Sequence, residues 1–397
     1  MHAAAKHVRV LLSLVLLSIA VPARADARDD DDDRGDGIEL TWMSIANWYF
    51  KVGGLRFMMD GYFTRLPGPP FFFGGGGGFK NTLGPFGVDL PTVLRVRYAL
   101  DARGKLDYVL AGHSHFDHTF DTATWSALTN APIIGSITTC LQAQAEGLPA
   151  SQCHVVAGGE RLRLGHGVTL RVVRWNHSGN HAVNPEQHDP IELHAAPIPD
   201  PVTGGLRGGV AEDFPNGGGG RMYLFTVDGE HGSRLSFFVN NSASAVDLTQ
   251  DIVVDGVNYG APLDNLRRAM ADAGLTSVDL WIGTGGSAVA QLVVPVLRPR
   301  FYIPNHWDGL FNPFFTGLPF PFKDAGLKTY LDSQGVPMLP QTQYFDKYRL
   351  DRNGVSKVPN AAQKAKLGFS DVQPFATATL RAAAAAETTA LPDDCSQ

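Results

Sequence analysis

Short apolar runs separated by glycine-containing turns predict a series of strands along the chain. Residues 40–50 and 55–59 are rich in β-branched, aromatic and other apolar residues and are joined by a Gly53-Gly54 turn. Another apolar run, at residues 106–111, predicts a buried strand. The same reasoning predicts hairpins at residues 161–175 and 221–240 and strands at residues 132–135, 278–283 and 300–304.

Helical patterns lie between these strands. Asp121 and Ser136 each precede a predicted helix, as N-cap residues do, and the second of these helices carries Cys140. Residues 261–273 repeat apolar positions at helical spacing and end at Gly274. The predicted order is a run of strands, a stretch in which strands and helices alternate, a second run of strands, and a second alternating stretch. This order favours an α/β fold in which two sheets pack together with helices outside.

The segment 66–91 interrupts the pattern with Pro69-Pro70, phenylalanine at positions 71–73 and glycine at positions 74–78. So much glycine and proline argues against a regular core element, and a loop of this length is usually functional or disordered. Its bulky aromatic residues argue against simple disorder. We therefore expect a long ordered loop here.

The N-terminus has the pattern of an export signal. Lys6 and Arg9 precede an apolar run at residues 11–21, which ends in Ala23-Arg24-Ala25. This pattern predicts a cleaved signal peptide at residues 1–25 and a secreted or periplasmic protein, with an uncleaved anchor as the alternative. No other apolar stretch is long enough for a membrane helix, so we expect no transmembrane segment in the mature chain.

The remaining chain divides into a folded part and two polar flanks. Residues 26–37 are rich in aspartate and are expected to form an acidic disordered linker. Residues 38–380 are expected to form the folded domain, and residues 381–397 a flexible tail. The whole chain of 397 residues has a formal charge of −6 and no basic stripe, which argues against a nucleic-acid partner.

Three cysteines are present. Cys140 and Cys153 flank a predicted helix and its exit loop, so in an oxidising compartment they either pair or stay free. Cys395 lies in the terminal tail and would be left over. The cysteines lack the close spacing of zinc-cysteine sites.

Potential metal ligands cluster directly after the predicted strand at residues 106–111. His113 and His115 are two residues apart, so in an extended segment they point the same way. Asp117 and His118 follow where the chain leaves the strand. Neutral imidazole and carboxylate are the ligands of a catalytic zinc or a similar first-row metal, which makes this cluster a candidate metal centre.

This motif resembles the His-x-His-x-Asp-His signature of the metallo-β-lactamase-fold hydrolase superfamily. The resemblance covers about residues 38–348 and implies a four-layer αββα sandwich. The segment ending in Asp60 is similar to the family's early strand. His177, two residues after Trp175, matches the family's next histidine, and His306 matches its last. The His306-Trp307 context is similar to the branch of N-acylphosphatidylethanolamine phospholipases and lactonases, although Asp308 follows the tryptophan.

One position departs from the family pattern. The segment 237–242 is similar to the family's Phe-Phe-x-Gly-Asp-Thr and puts Asn241 where a metal-bridging aspartate stands, or Asn240 if the register shifts by one. A neutral amide is a poor bridge between two cations. The resemblance therefore implies an intact first site and a weaker second site. The first site comprises His113, His115 and His177, and the second comprises Asp117, His118 and His306 with Asn241.

Other histidines compete for the role given to His177. His181, His188 and His194 lie in the same polar segment. We prefer His177 because it lies nearest the end of the predicted strand, where the backbone fixes the geometry.

The predicted activity follows from this ligand set. One or two zinc ions, or another divalent first-row metal, would lower the pKa of bound water, Asp117 would take the proton of that water, and Asp117 would orient the zinc-bound hydroxide that results. The expected reaction is cleavage of an ester, lactone or phosphodiester bond in a small-molecule or lipid-like substrate. The alternative is a degenerate binding protein with little turnover. A true β-lactamase is disfavoured by the aromatic insertions and the His-Trp context.

Two aromatic segments bear on the substrate. One is residues 71–79, and the other is residues 311–322, which follow His306 closely. They either line an apolar pocket or lid for a lipid-like substrate or pack against each other as a satellite core.

Overall fold

The computed structural model describes residues 37–100, 105–177, 185–229 and 232–370. The predicted signal peptide, nearly all of the acidic linker and the predicted tail lie outside the described residues, as do His181 and Cys395. Among the residues that are described, no helix has the length and apolar character needed to cross a membrane.

The strands are short and are numbered in chain order. They are β1 (Ile38–Ser44), β2 (Asn47–Val52), β3 (Leu55–Met59), β4 (Phe72–Phe73), β5 (Asn81–Thr82), β6 (Tyr108–Leu110), β7 (Ile133–Gly135), β8 (Cys153–Val155), β9 (Arg161–Gly165), β10 (Val168–Arg174), β11 (Arg221–Asp228), β12 (Arg234–Val239), β13 (Val253–Val254), β14 (Val257–Asn258), β15 (Leu280–Gly283), β16 (Phe301–Pro304), β17 (Asp346–Asp351) and β18 (Gly354–Val358).

The helices fall mainly between strands. They are α1 (Leu90–Ala99), α2 (Phe116–Thr119), α3 (Thr122–Thr129), α4 (Ile137–Ala145), α5 (Pro185–His188), α6 (Pro262–Ala273), α7 (Ser287–Leu297), α8 (Ala325–Ser333) and α9 (Ala361–Leu367). The ends of α6 follow from its sequence, because Pro262 starts the helix and Gly274 ends it with a left-handed φ of 65°.

Two large sheets form the centre of the fold. The first has the strand order β18-β17-β1-β2-β3-β6-β7-β8, and the second has the order β16-β15-β12-β11-β10-β9. In the first sheet β3, β6, β7 and β8 run parallel, and in the second β12, β15 and β16 run parallel. The carboxyl ends of these parallel strands meet at one edge of their sheet, and the loops that leave this edge carry the site described below.

The two sheets pack face to face through aromatic side chains. Phe50 and Phe57 of the first sheet meet Phe225 and Phe237 of the second, with ring centroids 5.3 Å apart for Phe57 and Phe225 and 5.7 Å apart for Phe50 and Phe237. All are fully buried in one hydrophobic core. Such ring pairs add about 0.5–1.5 kcal/mol each beyond the free energy of area burial.

Helices cover the outer faces of both sheets. Val96 of α1, Trp125 of α3 and Leu367 of α9 extend the core on the first sheet. On the second sheet a separate core unites α6, α7 and α8 with outward-facing residues of β11 and β15 such as Leu224 and Trp281. The resulting order of layers, helix–sheet–sheet–helix, confirms the predicted four-layer αββα sandwich.

Most of the predicted elements are present, with two differences. The run at 40–50 is two strands, β1 and β2, because the chain turns at Ile45 and Ala46, which are buried and apolar and give no turn signal. The segment 66–91 was expected to lack regular elements. It contains the short pair β4 and β5, and its last two residues begin α1.

The predicted helix caps have different outcomes. Ser136 caps α4 by accepting a hydrogen bond from the Thr139 N–H at 3.0 Å. Asp121 stands at the N-cap of α3, but its side chain makes no cap hydrogen bond. Its carboxylate instead accepts the backbone N–H groups of Phe63 and Thr64 at 2.6 and 2.7 Å, which ties the chain after β3 to α3.

Cys140 and Cys153 form a disulfide, so the pairing that the sequence left open is present. The bridge links α4 to the start of β8. Gln142, also on α4, donates from its amide to the Ser114 carbonyl at 2.9 Å and accepts from the Thr119 hydroxyl at 2.8 Å. The helix therefore contacts both sides of the histidine-rich loop after β6.

Candidate metal centre

The candidate ligands follow strands that end at the same edge of the sandwich. His113, His115, Asp117 and His118 come from the loop after β6 and from the short helix α2. The other predicted ligands follow three more strands: His177 follows β10, Asn241 follows β12 and His306 follows β16. Asp60, which follows β3, lies beside them. Residues far apart in sequence are thereby brought within a few ångströms of one another.

His113, His115 and His177 form the first cluster. One ring nitrogen from each lies within 4.8 Å of the others, and all these side chains are buried. His113 Nε2, His115 Nε2 and His177 Nδ1 have no hydrogen-bond partner among the described residues. Buried polar atoms are normally satisfied, so these unpartnered nitrogens fit a site that binds a metal ion.

The electrostatics of this cluster favour metal binding. Burial holds the pKa values of His113, His115 and His177 well below the ordinary value, and each ring is also disfavoured as a cation by neighbouring histidines. The imidazoles are therefore neutral at pH 7. The neutral ring is the form that coordinates a metal.

Asp117, His118 and His306 form the second cluster. His306 Nε2 lies 2.9 Å from Asp117 Oδ2 and 3.1 Å from His118 Nε2, and Asp117 Oδ2 lies 3.2 Å from His118 Nε2. Zinc ligands at about 2.0–2.1 Å in a tetrahedron lie roughly 3.3 Å apart. The triangle of donor atoms thus has nearly the size that a bound ion requires.

The charges of the second cluster depend on its carboxylates. Burial alone would lower the pKa of His118, but Asp117 and Asp60 raise it to about 10. Burial alone would raise the pKa of Asp117, but His118 and His306 hold it well below its ordinary value. Asp117 is therefore ionised at neutral pH and available to a cation.

His306 is held in an unusual backbone conformation. Its φ of 57° lies in the left-handed region, which few non-glycine residues adopt. Its N–H donates to the Ile45 carbonyl at 3.1 Å, while the Ile45 N–H donates to Asp308 Oδ1 at 2.7 Å. The turn between β1 and β2 is thus fixed to the loop that carries His306.

Asn241 was predicted as a metal ligand, but the structure places its amide among hydrogen-bond partners. Its Nδ2 donates to Asp60 Oδ2 at 2.8 Å, and its Oδ1 lies 3.2 Å from His113 Nδ1. The alternative residue, Asn240, has its amide engaged by the Thr284 carbonyl and by the indole N–H of Trp281. Both atoms of the Asn240 amide therefore have hydrogen-bond partners within the fold.

The competing histidines are placed differently from His177. His194 is exposed. His188 Nδ1 lies 2.9 Å from Asp247 Oδ2, and the ring of His188 is 6.1 Å from that of His177. His188 therefore stands beside the first cluster, whereas His177 is a member of it.

The aromatic segments pack with each other. Phe72 contacts Phe116 and Phe311 with ring centroids 4.7 and 5.5 Å apart, and Phe79 contacts Phe311 at 5.8 Å. Phe314 joins the main core instead. Of the two interpretations left open by the sequence, the structure supports the satellite core.

The first cluster fits a divalent first-row metal as it stands, and the second fits one when the metal displaces the proton that Asp117 and Asp60 hold on His118. The donors are imidazole nitrogens and one carboxylate, several of the nitrogens lack partners, and the remaining atoms converge at ligand spacing. Sequence reasoning missed the contacts of His188 with Asp247 and of Asp308 with Ile45. A lone aspartate in a loop gives no signal of such a contact.

Comparisons with known proteins are limited in extent. No family model matches the chain. A curated UPF0173 metal-dependent hydrolase of Pyrobaculum islandicum is 25% identical over 143 residues, which is 36% of this chain and 52% of that protein. The chain thus matches about half the length of this relative.

Solved structures resemble the chain only distantly. Igni18, a metallo hydrolase of Ignicoccus hospitalis, has 13% identity and a TM-score of 0.44, covering 79% of this chain and 98% of its own. An isothiocyanate hydrolase from Delia radicum gut bacteria has 13% identity and a TM-score of 0.45, covering 78% and 98%. Superpositions at this level carry no conclusion about chemistry.

The motif, the order of layers and the curated relative all agree with the resemblance seen in the sequence. The strand β6 ends directly before the motif, and the later histidines arrive from the second sheet, as the resemblance implied. The matched relative is itself a metal-dependent hydrolase. The chain therefore has the order of layers and the arrangement of candidate ligands that its resemblance to the metallo-β-lactamase-fold superfamily implied.

Proposed function

We propose that this protein is an exported metal-dependent hydrolase that uses zinc to cleave an ester, lactone or phosphodiester bond in a small molecule. The observation that carries the proposal is the convergence of His113, His115 and His177, whose buried ring nitrogens lack partners among the described residues. The ionised carboxylate of Asp117 stands next to them.

A divalent metal held by His113, His115 and His177 would supply Lewis acidity and would make water acidic enough to ionise near pH 7. The chain supplies the geometry. His118 and His306 hold the pKa of Asp117 well below its ordinary value, so its ionised carboxylate can accept a hydrogen bond from the attacking water and orient it. His306 also fixes the orientation of that carboxylate through its 2.9 Å contact with Oδ2.

Two observations support export. The N-terminal sequence has the pattern of a signal peptide. The disulfide between Cys140 and Cys153 is typical of proteins that fold in an oxidising compartment. Both point to the periplasm or the cell exterior as the location of the mature protein.

The substrate is proposed to be small. The aromatic residues that suggested a lipid-like substrate pack against each other, as Phe72, Phe79 and Phe311 do. A lipid-like substrate therefore loses its main support and stays a prediction. A series of esters, lactones and phosphodiesters of increasing chain length measures this preference directly.

The experiment that tests the proposal is removal and return of the metal. The mature protein is stripped with a chelator, assayed on the substrate series, reloaded with zinc and assayed again. We expect activity to fall at least a hundredfold and to return with zinc. Full activity in the stripped protein would refute the proposal, and recovery with another first-row ion alone would refute the choice of zinc.

A second candidate function is a binding protein with little turnover. It is favoured by Asn241, which stands where a bridging aspartate was expected and contributes no charge. A protein that binds zinc stoichiometrically yet cleaves no member of the substrate series would establish this second function. The metal-binding prediction is common to both candidates.

A further inference from the structure

We infer that Asn241 is a positioning residue that orients His113 for metal binding and is not a ligand that bridges two ions. The inference rests on the proposed metal site. It concerns how the chain holds that site, and it assigns a role to the residue that departs from the family pattern.

The first step is the position of Asp60. This carboxylate is fully buried at the end of β3. Its Oδ1 accepts the Gly112 N–H at 2.8 Å, and its Oδ2 lies 2.8 Å from both His118 Nδ1 and Asn241 Nδ2. Asp60 therefore holds the loop backbone, one histidine and one amide at the same time.

The second step is the orientation of the Asn241 amide. A carboxylate oxygen accepts hydrogen bonds, so the amide atom that faces Asp60 is the NH₂ group. The amide oxygen then faces His113 Nδ1, at 3.2 Å, and accepts its proton. With Nδ1 protonated, His113 presents Nε2, the buried nitrogen without a hydrogen-bond partner among the described side chains.

The third step is the lack of space around this amide. A Cβ atom on Gly112 would overlap the Asn241 amide, so the amide lies directly against the Gly112 backbone. The glycine before the histidine motif is thus required by Asn241. Contacts with Asp60, Gly112 and His113 therefore hold the Asn241 amide in one position.

The fourth step concerns the charge at position 241. An aspartate there would lose the N–H that Asp60 accepts and would place two buried carboxylates against each other. Hydrogen-bond partners behind a ligating histidine fix its tautomer and orientation, and losing one typically lowers metal affinity 10–100-fold. In this chain the neutral amide is therefore the residue that Asp60 can accommodate.

The test compares zinc affinity and stoichiometry in the mature wild-type protein and in Asn241→Asp and Asn241→Ala variants. Affinity is measured by competition with a chromophoric chelator, and stoichiometry by elemental analysis. Asn360→Asp is the matched control. Asn360 is also buried and donates to the Phe345 carbonyl at 2.8 Å, so this control reports the folding cost of such a change.

We expect both Asn241 variants to bind zinc at least tenfold more weakly than the wild type, with no gain in stoichiometry, while Asn360→Asp binds like the wild type. Tighter binding or a second ion in Asn241→Asp would overturn the inference, as would unchanged affinity in Asn241→Ala. If the wild type binds no zinc, the proposed function fails and the inference fails with it.

A spectroscopic measurement on the wild type does not depend on whether the variants fold. Long-range ¹H–¹⁵N correlation of the zinc-loaded protein, labelled at histidine, identifies the protonated nitrogen of each ring. We expect His113 to be protonated at Nδ1 and bound through Nε2. Metal binding through Nδ1 would overturn the inference even if zinc is bound.

Discussion

Removing the disulfide between Cys140 and Cys153 should lower the free energy of unfolding. The size of the loss depends on the length of the chain segment that the bridge closes. The cysteines are 13 residues apart. In the chain-entropy model a crosslink over such a loop stabilises the fold by about 3 kcal/mol, because it restricts the unfolded chain. With an unfolding entropy of about 2.1 cal/mol/K per residue over roughly 330 residues, this corresponds to a fall in Tm of about 4 °C.

The assay is thermal unfolding of a Cys140→Ser/Cys153→Ser double variant, followed by circular dichroism. Both proteins are measured in chelator, because a bound metal would shift the Tm by itself. Cys395→Ser is the control, because this change also replaces a cysteine but leaves the bridge between Cys140 and Cys153 intact. Wild-type protein in dithiothreitol should melt like the double variant.

The same reasoning predicts an unchanged metal site in the double variant. If the crosslink acts on the unfolded chain, Gln142 keeps its contacts with Ser114 and Thr119, and zinc affinity stays within about twofold of the wild type. An unchanged Tm would refute the estimate. A tenfold loss of zinc affinity would show instead that the bridge holds the folded loop.

Three further predictions concern buried residues. Asp346→Asn removes the negative charge that lies 2.7 Å from the buried ammonium of Lys364 and should cost about 3–5 kcal/mol in urea unfolding at pH 7. Burial alone would raise the pKa of Asp346, but its lysine partners lower it, so this stability is present above pH 3.8 and is lost as the pH falls through the lower folded value. Asp308→Ala removes the carboxylate that accepts the Ile45 N–H in the turn that contacts His306. It should weaken the binding of cobalt, a coloured substitute for zinc that is followed by its absorption spectrum, and Asp308→Asn should keep most of the wild-type affinity. Phe72→Ala should cost about 3–5 kcal/mol in stability, and a loss of kcat/KM with unchanged stability would favour a substrate lid instead.

The sequence predicts well where local chemistry is explicit. The hairpin predicted at residues 161–175 is present, because β9 and β10 pair across a turn at residues 165–167. His113, His115, Asp117 and His118 were predicted as candidate ligands because they come directly after a buried strand. His177 and His306 were placed by resemblance, and both lie in the predicted clusters.

The sequence predicts poorly where a residue acts through a distant partner. Asp60 and Asn241 are 181 residues apart, and Asp308 and Ile45 are 263 apart, yet each pair shares a hydrogen bond. Such pairings depend on how the two sheets are stacked. The sequence also contains no sign of the turn at Ile45. A buried turn needs no polar residue of its own when a distant loop makes the hydrogen bonds of its backbone, as His306 does here.

Anomalous diffraction at the zinc edge from crystals of the zinc-loaded protein tests the metal centre most directly. We predict a peak about 2.0–2.1 Å from one ring nitrogen each of His113, His115 and His177, and from Nε2 in the case of His113. A zinc-loaded protein whose anomalous peak lies elsewhere, or bonds to Asn241 in place of one of these histidines, would contradict the assignment of these residues as the ligands.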